Sequence, residues 1–339
     1  MRKRFLLSAL VLLCVAATPA AAQGYHVTHT YTLGGDGGWD YIALDTMDHR
    51  LFIARQDRIM VVNPETGALL GQIPGLARAH GVAFDYVNGF GFATSGADSA
   101  VTMFDLQTLA VQGKITAAVD DDAVLYDAVS QHIFTMNGDA NSVSVIDPVS
   151  GRRLGTIDLG GKPEYGVSAG NGKLYVNIED RSEVVEVDAA EMSVARRWSI
   201  APCESPTGLA IDVAHHRLFS GCRSGAMAIS DYRAGRLVAT VPIGQGVDAC
   251  RFDAARQLAF ASNGDGTITV IHEDTPNRFS VVATVQTKAG ARTMELDPVT
   301  HRLFTVTADF GPAPAPTADR PRPRPPVVPG TFELMVLEQ

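Results

Sequence analysis

Seven copies of one short pattern run along this chain, and no other feature restricts its fold as tightly. In six copies an apolar stretch ends in Asp, five residues follow, and then come a small or aliphatic residue and an aromatic: Asp45…Phe52, Asp85…Phe92, Asp127…Phe134, Asp212…Phe219, Asp253…Phe260 and Asp297…Phe304. The remaining copy is degenerate, with an Asn171-Gly172 turn before Leu174-Tyr175. The aromatics are spaced by 40, 42, 41, 44, 41 and 44 residues. Each copy is followed by strand ends running into turns, such as Val61-Val62-Asn63-Pro64 and Val145-Ile146-Asp147-Pro148, where Pro presets φ and a later Gly supplies positive φ. Another short strand comes after each turn, so a repeat holds about four strands. No convincing amphipathic helix is present. Four short strands per repeat of about 40 residues is the period of a propeller blade, whereas solenoid repeats of that length are mostly helical.

The sequence therefore predicts an all-β fold, a seven-bladed β-propeller of four-stranded blades. The last copy ends after three strands, and residues 26–33 read as a strand ahead of the first copy. That N-terminal strand is expected to complete the last blade, closing the ring and removing an exposed edge. Residues 23–339 form one propeller domain on this reading. Residues 1–22 read as a cleavable signal peptide: Arg2, Lys3 and Arg4, an apolar run over residues 5–17, then Ala20, Ala21 and Ala22. A periplasmic or secreted protein is expected. Cys14 lacks the small preceding residue of a lipoprotein signal, and no later segment is long and apolar enough to span a membrane as a helix.

Charge narrows the partners. The chain has 37 acidic residues against 28 Lys and Arg, a net charge of −9. Loss of three basic residues with the leader makes the mature chain about −12, which repels phosphate backbones and argues against nucleic acid. Three cysteines remain. Cys203 enters the inner strand of blade five and Cys222 ends its second strand, so antiparallel pairing brings them together, and a Cys203–Cys222 disulfide is expected. Cys250 is expected to be a buried free thiol.

Function in a propeller usually sits on the face where loops enter the inner strands. Five residues before each anchor Asp lie Asp40, His80, Asp122, Thr207, Asp248 and Arg292, and in the degenerate copy Glu164 if Ala169 is its anchor. These seven are the expected channel-mouth binding residues. They suit a hydrated polar rim, or a site for a cation or polar ligand. Asp40, His80, Asp122, Glu164 and Asp248 could hold a divalent metal, Arg292 could grip an anionic group, and clustered carboxylates have the raised pKa values of a general acid or base. Loops around Asn137-Gly138-Asp139, Asn177-Ile178-Glu179-Asp180 and Asn263-Gly264-Asp265 add polar groups, read first as turn formers. Trp39 follows a Gly-rich run, residues 34–38, and suits either ligand stacking or capping of the core. A Pro-rich insertion at 311–330 carries Arg320, Arg322 and Arg324 and is expected on the same face, as a lid or a partner contact.

The chain resembles the bacterial YncE-type proteins, the YVTN repeat β-propellers, over its whole mature length. The resemblance rests on Cys203-Glu-Ser-Pro-Thr with Arg217-Leu-Phe-Ser-Gly-Cys222, on Gly246-Val-Asp248, on Ser262-Asn-Gly-Asp-Gly-Thr267 and on Gly290-Ala-Arg-Thr-Met294; the literal Tyr-Val-Thr-Asn string survives only in pieces such as Tyr175-Val-Asn177. It implies a periplasmic seven-bladed propeller. The family's best-known member binds single-stranded DNA, which needs an aromatic-and-basic stripe that this acidic chain lacks. Related propellers include sugar-acid lactonases, for which His80, Glu164 and Arg292 would serve, and a haem domain, for which His80 is the only candidate ligand. Three functions follow: a non-catalytic propeller, expected to be monomeric, that binds a small molecule, metal or protein; a hydrolase or lactonase; and an accessory subunit of a periplasmic enzyme. The first is favoured.

Overall fold

Short-period apolar patterning and turn residues every few positions build an all-β molecule. A computed structural model describes residues 24–317 and 323–339 and contains seven four-stranded antiparallel sheets, with no helix among the described residues. Blade one is typical: Ile42–Asp45 lies innermost, followed outward by Arg50–Arg55, Arg58–Val62 and Leu69–Pro74. The innermost strands pack side by side in chain order, and Met294–Leu296 of blade seven meets Ile42–Asp45 of blade one, closing the ring. Blade seven is completed as expected, by His26–Thr32 pairing antiparallel with Glu333–Glu338.

The repeated residues are the ones that hold the blades together. The six Phe of the pattern are fully buried, and Tyr175 is 3% exposed. They fill cores shared by adjacent blades, as where Phe52 and Phe104 stack across the blade one–two boundary. Phe-sized side chains make burial the main stabilising term of such a boundary. The anchor Asp residues are also buried. Each accepts a backbone N–H from two residues ahead, at 2.8–3.1 Å, and so fixes the turn between the first two strands. At Asp127 the equivalent bond comes from Ser130, three ahead.

Arg55 was not singled out by its sequence, yet it is fully buried. Its guanidinium donates to the carbonyls of Gly34, Asp36, Gly37 and Gly38 at 2.9–3.3 Å and sits 3.7 Å over the Phe332 ring. The Gly-rich run is thus a backbone cradle for an arginine where blades one and seven meet. Gly37 has φ of 95°, which favours glycine there. The predicted Cys203–Cys222 disulfide is formed, and Cys250 is a buried thiol.

Candidate functional site at the channel mouth

A strand alternates its side chains between two faces, so a residue aimed into a central channel needs a local break in the pleat. Blades two to six each have one. Register slips between Ala79 and Val82, Asp121 and Val124, Pro163 and Gly166, Pro206 and Leu209, and Val247 and Ala249. His80, Asp122, Glu164, Thr207 and Asp248 sit in these bulges. A β-bulge re-aims the side chain it carries. Blade four keeps this register: Tyr175 pairs with Val167 as Phe52 pairs with Ala43, which puts Ala169 at the anchor position and Glu164 at the mouth.

Six of the seven expected residues come together. Asp40, His80, Asp122, Glu164, Asp248 and Arg292 line one open cavity of about 920 Å³. Thr207 does not line it. It is fully buried, and its hydroxyl donates to the carbonyl of Val247 at 3.0 Å, so its short side chain is absorbed by the wall between blades five and six. The cavity also holds residues that the anchor count overlooked. Arg78, Asp120 and Lys162 lie two positions before His80, Asp122 and Glu164, and Glu179 and Arg223 come from loops after second strands. A second count, seven residues before each anchor, would have found the first three.

The lining carries eight carboxylates, from Asp40, Asp57, Asp120, Asp122, Asp139, Glu164, Glu179 and Asp248, against the cations of Arg78, Lys162, Arg223, Arg292 and Arg324. Most cations are already engaged. Arg78 pairs with Asp120, Arg292 lies 3.0 Å from Asp248, and Arg223 lies 2.6 Å from Glu179 and 3.5 Å from Glu164. The excess negative charge falls on the centre. The Oδ1 of Asp122 is shielded from solvent and accepts no hydrogen bond. Burial raises its carboxyl to about 7 against the opposing charge of His80, with the neighbouring Asp40 and Asp248 adding to the rise. Burial and the charges of Asp122, Glu179 and Asp248 raise Glu164 to about 9. Burial raises Asp248 to about 6 although Arg292 opposes it.

His80 is held from both sides. Its Nδ1 contacts Asp40 Oδ2 and lies 3.2 Å from Asp122 Oδ1, while Arg78 Nε donates to its Nε2 at 3.0 Å. These partners place the imidazole proton on Nδ1. Burial alone would lower the His80 pKa, but the bond to Asp40 and the charges of Asp122 and Asp40 raise it overall. Ligand atoms of Asp40, His80 and Asp122 lie within 4.8 Å of one another. A metal on Nδ1 would move the proton to Nε2, where it would face the Arg78 N–H, so donor would meet donor. The triad therefore fits a proton-sharing network better than a metal centre. Nor does His80 present a free nitrogen as a general base, and no Ser, Thr or Cys nucleophile lines the cavity among the described residues.

Trp39 packs on Phe310 and Phe332, with ring centres 5.9 and 5.4 Å away, and also borders the cavity. It is both core cap and rim. Phe310 pairs with Val327 at the base of the Pro-rich segment, and Arg324 from that segment reaches the cavity. Arg320 and Arg322 lie outside the described residues, as does the expected leader. No helix among the described residues is long and apolar enough to cross a membrane.

No protein-family model matches the chain, and no curated protein does. Solved structures match its shape. One is Kuenenia stuttgartiensis hydrazine synthase, 14% identical, with a TM-score of 0.70, covering 80% of this chain and 92% of that one. Another is U3-55K, 11% identical, with a TM-score of 0.76, covering 92% of this chain and 99% of that one. At these identities the likeness establishes the propeller fold alone.

Proposed function

We propose that the chain is an exported propeller that binds a small organic amine at its channel mouth without transforming it. The observation that carries this is the buried, unbonded Oδ1 of Asp122, in a cavity where carboxylates from blades one, three, four and six outnumber the free cations. An ammonium group supplies several N–H donors and a positive charge, which answers both deficits. A divalent metal is disfavoured by Arg78 on His80, and hydrolysis by the engagement of both His80 nitrogens. The Cys203–Cys222 disulfide supports an oxidising compartment. That disulfide and the repeat register also support membership of the YVTN-type propellers and a single domain from Gln23 onward.

Amine binding restores charge to Asp122, Glu164 and Asp248 and so releases protons. Affinity should therefore increase from pH 6 to pH 8. Calorimetry with putrescine, spermidine and glucosamine, in buffers of different ionisation enthalpy, tests this. Saturable binding with proton release, weakened at least about tenfold by Asp122→Asn, is the expected result. Failure of every amine to bind, or binding indifferent to Asp122→Asn and Glu164→Gln, overturns it.

A further inference from the structure

A second cluster lies at the opposite end of the blades, where the inner strand Pro206–Asp212 turns into Arg217–Cys222. Asp212 and His215 come from blade five. Glu273 comes from Thr267–Thr275, the third strand of blade six. His215 Nδ1 lies 2.7 Å from Asp212 Oδ2 and 3.0 Å from Glu273 Oε1. The three ligand atoms fall within 4.8 Å of one another.

The repeat supplies an internal comparison. In other blades the second oxygen of the anchor Asp has a protein donor of its own: Arg50 on Asp45, Asn88 on Asp85, His301 on Asp253 and Thr300 on Asp297, at 2.6–2.7 Å. At Asp212 the corresponding oxygen accepts no aligned hydrogen bond. Glu273 is more anomalous. The ladder aligns it with Leu106, Ala189 and Tyr232, since Glu273, Leu106, Ala189 and Tyr232 each donate their N–H to the carbonyl of the preceding hairpin turn. An acid thus occupies a slot that other blades fill with buried side chains carrying no charge. It is 1% exposed, and its carboxylate oxygens face the Asp212 carboxylate and the His215 ring without an aligned hydrogen-bond donor. A buried, unbonded carboxylate is costly unless something satisfies it. Arg217, whose charge also acts on Glu273, is committed elsewhere: it donates to the carbonyls of Pro276 and His215 and to Asn277 Oδ1, and it lies 3.0 Å from Asp231. One Nδ1 proton cannot serve two carboxylates.

We infer that Asp212, His215 and Glu273 form a divalent transition-metal site that ties blade five to blade six. Ligands about 2.1 Å from an ion and at right angles to each other are about 3.0 Å apart, close to the separations seen here. One imidazole nitrogen with two carboxylates favours zinc or manganese over calcium, which takes more ligands, all of them oxygen. The two carboxylates balance the ion's charge, and the half-buried His215 leaves room for water to complete the shell.

The test is zinc and manganese titration of the metal-stripped full chain, followed by calorimetry and by thermal unfolding with and without metal. The expected result is one equivalent bound and a metal-dependent rise in Tm. Both should weaken at least about tenfold in Glu273→Gln and in His215→Asn. His215→Asn retains a donor for Asp212 of the kind Asn88 offers Asp85, so folding is preserved while the ligand is lost. Absence of metal binding, binding unchanged in both variants, or binding abolished by His80→Asn instead overturns the assignment. Amine binding at the mouth is measured separately and does not bear on this result.

Discussion

Glu164→Gln should stabilise the folded protein at neutral pH. Glu164 is 7% exposed, and its pKa is raised from 4.5 to about 9, first by burial and then by Asp122, Glu179 and Asp248. The folded state therefore keeps a proton that the unfolded chain gives up. A raised carboxyl pKa leaves stability intact below the unfolded value and removes it as pH climbs towards the folded one. The loss thus runs from about 4.5 to about 9. At pH 7 the gap from 4.5 corresponds to about 3 kcal/mol, at about 1.4 kcal/mol per pKa unit. Glutamine has the same shape as the protonated acid and no charge to bury. Urea denaturation followed by the fluorescence of Trp39 and Trp198 measures the difference. Near pH 5 the two proteins should agree within about 1 kcal/mol, and near pH 7 the variant should be ahead by about 3 kcal/mol. A variant equal to the parent at every pH, or weaker at pH 7, would refute the reasoning. It would mean that Glu164 is ionised and that the Arg223 contact at 3.5 Å stabilises it.

Two further outcomes follow from the frame. Reducing the Cys203–Cys222 bond, which closes a loop with a sequence separation of 19, should lower unfolding free energy by about 3 kcal/mol; denaturant midpoints with and without reductant measure this, and an unchanged midpoint contradicts it. Arg55→Met should cost at least about 3 kcal/mol, because the carbonyls of Gly34, Asp36, Gly37 and Gly38 lose their charged donor; a melting curve that overlays the parent's would show that water replaces it.

The fold was legible because its signals are local. Anchor Asp, turn residues and core aromatic lie within eight positions of one another and recur in six copies, with a degenerate seventh that keeps the turn and the aromatic, and each copy needs only its neighbours to complete its packing. The mouth was legible in part for the same reason. Counting from the anchor found His80, Asp122, Glu164 and Asp248, since the bulge falls at one repeat position. The same count included Thr207, because position does not reveal whether a short side chain reaches the channel or bonds to the carbonyl beside it. It omitted Arg78 and Arg223, which reach the cavity from loops. The cluster of Asp212, His215 and Glu273 was not legible at all: Glu273 lies about 60 residues beyond the other two and meets them only when blade six packs on blade five.

By itself, the sequence determined the architecture, the number of blades, the strand that closes the ring and the pairing of two cysteines. All of these follow from period, turn chemistry and strand ends. Only the tertiary structure decided which charges are balanced. Arg55 finds its carbonyls, Asp122 lacks a donor and Glu273 is sealed in without one because of groups contributed by distant segments. Burial and electrostatic compensation are properties of the assembled ring, and those properties separate a hydrated rim from a binding site.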